Sequence, residues 1–550
     1  MIRVRRAGDA ALLVAAEGRA DALAAAIVSQ RYDGVLDVVP GAETVLVTTE
    51  PGRVDLAALA ERVVALTLPE ARAATAALAE IPVVYDGPDL AEVARLTGLS
   101  VAEVVARHAA AEYRVGWLGF SPGFGYMTGL DPALAAVPRL AEPRVRVPAG
   151  SVAIAGGLAA VYSSTSPGGW RLLGRTPAVL WDAERDPPAL LSPGMRVRFR
   201  AVDETQNAPA ATAPTGEEMG RRDAGPTHEE MGRADAGPTH EEMGRGDAGP
   251  AGGETEPGAA VEVIRPGPLA TVQDLGRPGY AHLGVPRAGA ADQASLRLAN
   301  RLAGNPDGAA ALELTLGRAV LRFAAAARVA VTGAPAAVTV TGPDGADRAA
   351  EPGVALTVPA GGLLRVGAPG VGLRSYVAVR GGIDVAAALG SRSADVRSGL
   401  GPAPLRPGDL LPVGPPPAGP PPAAPRPGPA GLPGPGQPAE LRVIPGPRDD
   451  WFAPGALALL CGETYVVSPA SDRTGLRLDG PALPRARGDE LPSEGVVTGA
   501  LQVPPGGRPI LLLADHPVTG GYPVIAVVAS ADIGLAAQLR PGSKIKFVRV

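Results

Sequence analysis

The stretch Ser166-Pro167-Gly168-Gly169-Trp170 has a counterpart in Val518-Thr519-Gly520-Gly521-Tyr522. Each leads into an apolar run, a Pro-Gly turn and a last strand in which charged and apolar residues alternate, Arg196-Val197-Arg198-Phe199 in one half and Lys544-Ile545-Lys546-Phe547 in the other. A chain that repeats one succession of turns and strands is constrained to fold as related modules in tandem. The Gly-Gly pair lacks Cβ atoms, so it permits a sharp turn and a close approach of backbone N–H groups to a ligand, with the adjacent ring as a flat wall. An ordinary tight turn uses the same residues. The recurrence in equivalent settings keeps a second reading open, in which the two copies line clefts.

At 550 residues, 46% of them hydrophobic, the chain has room for several domains with real cores. A net charge of −5 without a basic block argues against nucleic acid or an anionic membrane surface as partner. Cys461 is the only cysteine, which excludes a disulfide framework and a thiolate metal cluster and suits a reducing cytoplasm. The basic start Met1-Ile2-Arg3-Val4-Arg5-Arg6 precedes an apolar run at 10–16 that Asp9 and Glu17 flank, so a strand is expected there in place of an export signal. The long apolar tract near Val524 is broken by Asp532, and no membrane span is expected.

Residues 1–80 read as a small α/β domain, with a strand at 44–48 and a helix in which Leu56, Leu59, Val63 and Leu66 recur at helical spacing. In 81–203 a helix starts at Ser100, whose hydroxyl and Glu103 form a capping box, with Val101, Val104, Val105 and His108 on one face. From Arg144 the period becomes two: Arg144 and Arg146 alternate with Val145 and Val147, and short strands follow at 152–155 and 159–162. Glycine and proline punctuate them, as in a closed or nearly closed β-barrel that the strand at 196–200 should complete. Residues 204–258 carry a twelve-residue repeat poor in apolar groups and read as a disordered linker, which removes His228 and His240 from any catalytic role. The second half holds a β subdomain at 259–411 with one helix at 292–303, in which Leu296, Ala299 and Leu302 are buried and Gly304 is the stop. A Pro/Gly linker at 412–438 and a second β subdomain at 439–550 complete it.

Gly119-Phe120-Ser121-Pro122-Gly123 matches the Gly-x-Ser-x-Gly nucleophile elbow in form only. Pro122 has no N–H for an oxyanion, and Gly123-Phe124-Gly125-Tyr126 reads as loop where the elbow needs a helix. Lys544 and Lys546 are the only lysines, and neither follows a Gly-rich turn, so a Walker A phosphate loop, a Ser-Ser-Lys amidase and a biotinylation site are all disfavoured. His108 ends an apolar helical face, where a packed histidine or a helix cap competes with catalysis. His516 lies beside the second Gly-Gly pair, with Asp515 placed in sequence to orient it.

His108, Tyr113, Gly119-Phe120, Pro122-Gly123-Phe124, Tyr126, Val147-Pro148-Ala149-Gly150-Ser151, Ser166 to Trp170 and Gly174-Arg175-Thr176 resemble allophanate hydrolase subunit 1, the family of KipI-type histidine-kinase inhibitors and of the B component of 5-oxoprolinase. The second half resembles the companion subunit 2, which includes the C component of 5-oxoprolinase. It does so through Thr271 to Gly279, Gly284-Val285-Pro286, Leu298 to Leu302, Arg380-Gly381-Gly382, Leu389 to Arg392, Ser471-Asp472-Arg473 and Thr519 to Pro523. The resemblance spans nearly everything but the two linkers. It departs from the family pattern at Ala291, Ser163 and His516, the last weakening an essential role for that histidine. It implies a mainly β (α+β) fold: tandem cyclophilin-like β-barrels, as in the carboxyltransferase part of urea carboxylase, with the small α/β domain in front.

The resemblance further implies the B/C component of an ATP-dependent 5-oxoprolinase, which opens a lactam to glutamate together with a separate A subunit. A biotin-dependent carboxyltransferase and a histidine-kinase inhibitor are the alternatives; the inhibitor would need only the first half. Candidate catalytic residues are His108, Asp274, Arg277, Arg473 and Asp515. Ser166, Gly168, Gly169, Trp170, Arg175, Thr176, Thr519, Gly520, Gly521 and Tyr522 are candidates for binding a small anionic substrate or a phosphoryl group, for which arginines and backbone N–H groups are suited. ATP, with or without Mg²⁺, is the expected cofactor, no metal-binding residue is assigned, no biotin site is expected on this chain, and self-association into a homo-oligomer stays open.

Overall fold

A computed structural model describes residues 2–68, 77–140, 142–203, 260–419, 431–434 and 436–550. The repeat linker at 204–258 and the stretch 420–430 of the Pro/Gly tract lie outside the described residues.

The N-terminal module is an antiparallel sheet in the order β1-β2-β4-β3, from β1 (Ile2–Arg6), β2 (Ala11–Ala16), β3 (Val35–Pro40) and β4 (Thr44–Thr49). Helices α1 (Ala20–Ser29) and α2 (Leu56–Val64) cover one face. Asp55 starts α2 by accepting the Ala57 and Ala58 N–H groups, and Leu56, Leu59 and Val63 are buried as their spacing predicts. Leu66 lies past the helix end but still packs on this core.

The next module is a seven-stranded sheet, β12-β9-β10-β7-β6-β13-β5, built from β5 (Leu78–Val83), β6 (Tyr113–Leu118), β7 (Gly125–Thr128), β9 (Ser151–Ala155), β10 (Leu158–Val161), β12 (Arg171–Arg175) and β13 (Arg196–Ala201). Helices α3 (Leu90–Thr97), α4 (Val101–Ala110) and α5 (Pro132–Ala135) precede or interrupt the strands, and β8 (Arg144–Val147) pairs separately with β11 (Ser166–Gly168). The edges meet where Val84 and Arg175 exchange two backbone hydrogen bonds of 2.9 Å, so the sheet is nearly closed. The last strand is not the one that closes it: β13 sits inside the sheet, parallel to β5 and antiparallel to β6. Three local readings are corrected. Val101 stands at the first turn of α4 and is 43% exposed, while Val104 and His108 are buried. Val145 is 88% exposed because β8 pairs only with the short β11 and nothing among the described residues covers that face. Gly125 and Tyr126 begin a strand; no helix follows Ser121, so the elbow remains excluded.

A two-sheet β module follows. One sheet runs β20-β19-β22-β17-β14-β24 and the other β15-β16-β23-β18-β21. Its strands are β14 (Ala260–Arg265), β15 (Leu269–Gln273), β16 (Ala311–Thr315), β17 (Ala319–Phe323), β18 (Ala327–Gly333), β19 (Val338–Thr341), β20 (Asp347–Ala350), β21 (Ala355–Val358), β22 (Leu363–Val366), β23 (Arg374–Val379) and β24 (Leu410–Pro412). Residues of both sheets share one core, including Val263, Val272, Leu314, Phe323 and Val377. Helix α6 (Gln293–Ala303) buries Leu296, Ala299 and Leu302 against the second sheet, between an Asp292 cap and Gly304 at φ +85°.

The C-terminal module is a closed barrel, β25-β32-β29-β30-β27-β26-β33, of β25 (Ala439–Pro445), β26 (Thr464–Val467), β27 (Gly475–Asp479), β29 (Ala500–Gln502), β30 (Ile510–Leu512), β32 (Val524–Val528) and β33 (Lys544–Arg549). It adds helices α7 (Ala456–Gly462) and α8 (Ile533–Ala537) and a separate pair, β28 (Glu494–Gly495) with β31 (Thr519–Gly520). Strand for strand this is the order of the first barrel, including the final strand parallel to the first one and the detached pair carrying the Gly-Gly motif. The duplication in the sequence is thus a duplication of topology, with the two-sheet module between the copies.

Candidate functional site

The loop between β6 and β7 places Phe120 where three modules meet. Phe120 holds φ +60°, a left-handed value unusual for an aromatic residue. Its N–H donates to Thr519 Oγ1 at 2.9 Å, and the notional Cβ of Gly119 would lie 2.3 Å from the same oxygen, so only glycine allows the second Gly-Gly segment this close. On another side the Gly123 N–H donates to Leu283 O at 2.9 Å, and the Arg397 guanidinium stands 5.5 Å over the Phe120 ring.

The first glycine of each pair, Gly168 and Gly520, lies within a strand, and none of Gly168, Gly169, Gly520 and Gly521 has a positive φ, which corrects the expectation of a sharp turn centred on each pair. What their missing Cβ atoms permit is close approach: Tyr162 Oη lies 2.1 Å from where a Gly168 Cβ would stand, and Gln502 Nε2 2.5 Å from that of Gly520. Burial pushes the Tyr162 phenol up to about 12. Trp170 is buried in an aromatic cluster with Phe124 and Tyr126, whereas Tyr522 is 36% exposed. A single segment links the two motifs, for Leu140 N–H donates to Gly169 O at 2.7 Å and the Arg139 guanidinium comes within 3.5 Å of a notional Gly521 Cβ.

Four of the five catalytic candidates stand at the boundary between the two-sheet module and the C-terminal barrel. Arg473, in the loop after β26, donates from Nε and Nη2 to the two oxygens of Asp515 at 2.8 and 2.9 Å, from Nη2 to Gly289 O at 2.7 Å, and from Nη1 to Glu313. Glu313 also accepts the Ala291 N–H and the Tyr376 hydroxyl, and Arg374 lies 3.4 Å away. Burial opposes ionisation of Glu313, but the two guanidiniums and these donors outweigh it and hold its carboxyl below the usual range. Asp274 is saturated by the Ser391 and Ser393 hydroxyls and the Gly276 and Arg392 N–H groups. Beside it Arg277 donates to Ala388 O and Ser393 O, while its buried Nη1 has no partner among the described residues. One carboxylate oxygen of the nearby buried Asp395 is likewise without a partner there.

Asp515 does not orient His516, since both of its oxygens are occupied by Arg473. His516 Nδ1 faces Pro517 O at 2.8 Å, which accepts only, so this nitrogen carries the proton and Nε2 receives the Thr498 hydroxyl at 3.1 Å. Burial holds this ring neutral, with its pKa lowered to about 4. His108 stands apart in the first barrel's core, stacked on Phe199 at 4.7 Å and bonded through Nδ1 to the Tyr85 hydroxyl at 2.7 Å; desolvation lowers its pKa to about 3. Arg175 pairs with Asp86 at 2.7 Å at the rim of that barrel. Thr176 N–H donates to Gly150 O, and Ser166 Oγ is buried without a partner among the described residues.

His516 and Thr498 also line a cavity of about 160 Å³ between the N-terminal module, the 281–287 turn and the C-terminal barrel. Asp37 and Arg287 line it as well, and sequence reasoning found neither. Arg287 directly follows the matched Gly284-Val285-Pro286, a signal that was available; Asp37 lies outside every matched motif. Among the described residues no group of three or more His, Cys, Asp or Glu side chains is placed to hold a metal ion, and no helix is long and apolar enough to cross a membrane.

Comparison with known proteins bears on these modules. A family model described as carboxyltransferase domain, subdomain C and D, matches residues 2–191, and one for subdomain A and B matches residues 283–549. The chain is 37% identical over 289 residues to the C component of 5-oxoprolinase from Escherichia coli K12, covering 52% of this chain and 91% of that protein. It is 54% identical over 123 residues to the B component of 5-oxoprolinase from Escherichia coli O157:H7, covering 22% of this chain and 56% of that protein, about half its length. The crystal structure of TTHA0988 matches along 100% of both chains, with 35% identity and a TM-score of 0.79.

Proposed function

The chain belongs to the carboxyltransferase-domain family of allophanate hydrolase subunits 1 and 2, and from that premise we propose that it is the B/C component of an ATP-dependent 5-oxoprolinase acting with a separate A-type subunit. The observation that carries this reading is the presence in one polypeptide of a half similar to the B component and a half similar to the C component, which share a junction with Thr519 of one against Phe120 of the other.

5-Oxoproline is a lactam with little ring strain, and its hydrolysis needs coupling to a second reaction. ATP, when bound, supplies that drive by phosphorylating the carbonyl oxygen. The arginines at this junction suit an anionic reactant: Arg277 Nη1 is a buried donor without a partner among the described residues, although Asp274, Asp395 and Asp515 stand close enough to offset the charge of Arg277 and Arg397. Arg473 directs four donors to Asp515, Glu313 and Gly289, so its part is to hold those two carboxylates in place, whereas Arg277 keeps Nη1 unused among the described residues. Neutral His516, fixed by Pro517 and Thr498, adds no charge to this region.

A second reading, carboxyl transfer, is favoured by the description of the matching family models. One assay separates the two. The purified chain is incubated with 5-oxo-L-proline and ATP, with and without a cognate A-type subunit, and glutamate and ADP are measured. Formation of both in a one-to-one ratio only with the A-type subunit is expected; absence of glutamate there, together with decarboxylation of carboxybiotin supplied in a parallel incubation, would support carboxyl transfer instead.

A further inference from the structure

The cavity of about 160 Å³ is walled by groups from modules far apart in the sequence: Asp37 and Leu46 from the N-terminal sheet, Arg287 from the turn after Gly284, and Thr498, His516 and Val518 from the C-terminal barrel. It is smaller than pockets that take drug-sized molecules, and its lining mixes apolar residues with polar ones, among them Asp9, Thr48, Thr49 and Ser530 beside the groups just named, as suits a compact polar ligand.

Two of those groups carry opposite charge, and neither has an ion-pair partner among the described residues. Asp37 Oδ1 accepts the Ala281 N–H at 3.0 Å, and no guanidinium among the described residues comes within 4.0 Å of it. Arg287 donates from Nε to Leu275 O at 3.4 Å and touches no described carboxylate. Burial pushes the Asp37 carboxyl up and the Arg287 guanidinium down, each only partly offset by the other. Both are half-buried in the wall of one cavity without bonding to each other, and a molecule that bonds both would offset the cost of their burial. The backbone that holds Arg287 is built for its place: Arg277 N–H donates to Arg287 O at 2.8 Å, and Gly276, at φ +82°, approaches that oxygen so closely that a Cβ would lie 2.3 Å from it. The Asp274-Leu275-Gly276-Arg277 motif therefore fixes the turn that presents Arg287.

We propose that this cavity binds a small cyclic amide bearing a carboxylate, with Arg287 taking the carboxylate, Asp37 accepting the ring N–H, and Leu46 and Val518 covering the ring methylenes. The identity of the ligand as a cyclic amide, 5-oxo-L-proline, rests on the 5-oxoprolinase reading; the cavity itself supplies one cationic and one acceptor group. Because the walls come from both halves, neither half alone should bind.

The test is calorimetric titration of the full chain with 5-oxo-L-proline and with 2-pyrrolidinone, which lacks the carboxylate, alongside KM measurements with the A-type subunit. Arg287→Met should weaken 5-oxo-L-proline at least tenfold and leave the weaker binding of 2-pyrrolidinone unchanged. Thr48→Phe narrows the cavity without touching either charged group and should abolish binding of both, with an unchanged melting temperature. Turnover whose KM is unaffected by Arg287→Met and Thr48→Phe would overturn the cavity while leaving the enzyme assignment standing. Carboxylate-dependent binding lost in Arg287→Met, without any turnover by wild type, would uphold the cavity and remove the 5-oxoprolinase reading. A wild-type chain that binds neither compound, alone or with the A-type subunit, overturns the proposal.

Discussion

The guanidinium of Arg473 donates to the carboxylate of Glu313, 160 positions earlier in the chain, and so joins the C-terminal barrel to the two-sheet module through a pair that is all but sealed from solvent. With Asp515 and Arg374 the cluster has two carboxylates and two guanidiniums, and its charge balances. Removing one member of such a buried network leaves the others uncompensated, at a cost of about 3–5 kcal/mol. Arg473→Lys should suffer nearly as much as Arg473→Ala, because an ammonium cannot reproduce the fork on Asp515 together with the bonds to Glu313 and Gly289. Chemical denaturation measures this; a variant with unchanged stability but no turnover would instead assign Arg473 to the ligand.

Arg175 makes the opposite case. Its pair with Asp86 is about half exposed on both sides, and exposed pairs contribute at most about 1 kcal/mol. Arg175→Lys should leave the melting temperature nearly unchanged. If turnover nevertheless falls tenfold or more, the side chain binds an anion; if it does not, the residue has a structural role only.

Stability should fall as pH drops. His108 and His516 have folded pKa values near 3 and 4, below the ordinary histidine value of about 6.5. Between those limits the unfolded chain binds protons that the native chain refuses, so unfolding free energy rises with pH and is lost as pH falls through about 6.5 towards 4, at roughly 1.4 kcal/mol per pH unit for each ring. Denaturant midpoints measured from pH 7.5 to 4.5 should show this slope. His108→Leu should make that slope shallower.

The two halves, expressed as residues 1–203 and 260–550, should fold separately and co-elute when mixed, through contacts such as Phe120 with Thr519 and Gly123 with Leu283. Gly119→Ala puts a methyl group 2.3 Å from Thr519 Oγ1 and should weaken that association at least tenfold. Size-exclusion chromatography at micromolar concentration tests it, and independent elution of the wild-type halves would count against the shared junction.

Deleting residues 217–250 should leave the melting temperature and the activity unchanged, since the repeats there offer few apolar side chains to a core. Loss of folded protein on deletion would show that the repeat has a structural partner.

The local elements and the duplication were legible in the order of the residues. The capping box of Ser100 and Glu103, the helix between Asp292 and Gly304, and the common ending of the two barrels are written in residues a few positions apart, because hydrogen-bond ladders, caps and the 2.0 and 3.6 periods are local constraints on the backbone. The grouping of Asp274, Arg277, Arg473 and Asp515 was reachable only as a resemblance, and their division of labour was not legible at all. It took the packed chain to show that Asp515 bonds Arg473 and not its neighbour His516, that Gly168 and Gly520 lie in strands, and that Asp37 lines the same cavity as Arg287. Which side chains meet across modules depends on how the modules pack, and that is set by complementary surfaces whose residues lie hundreds of positions apart and leave no periodic trace in either segment.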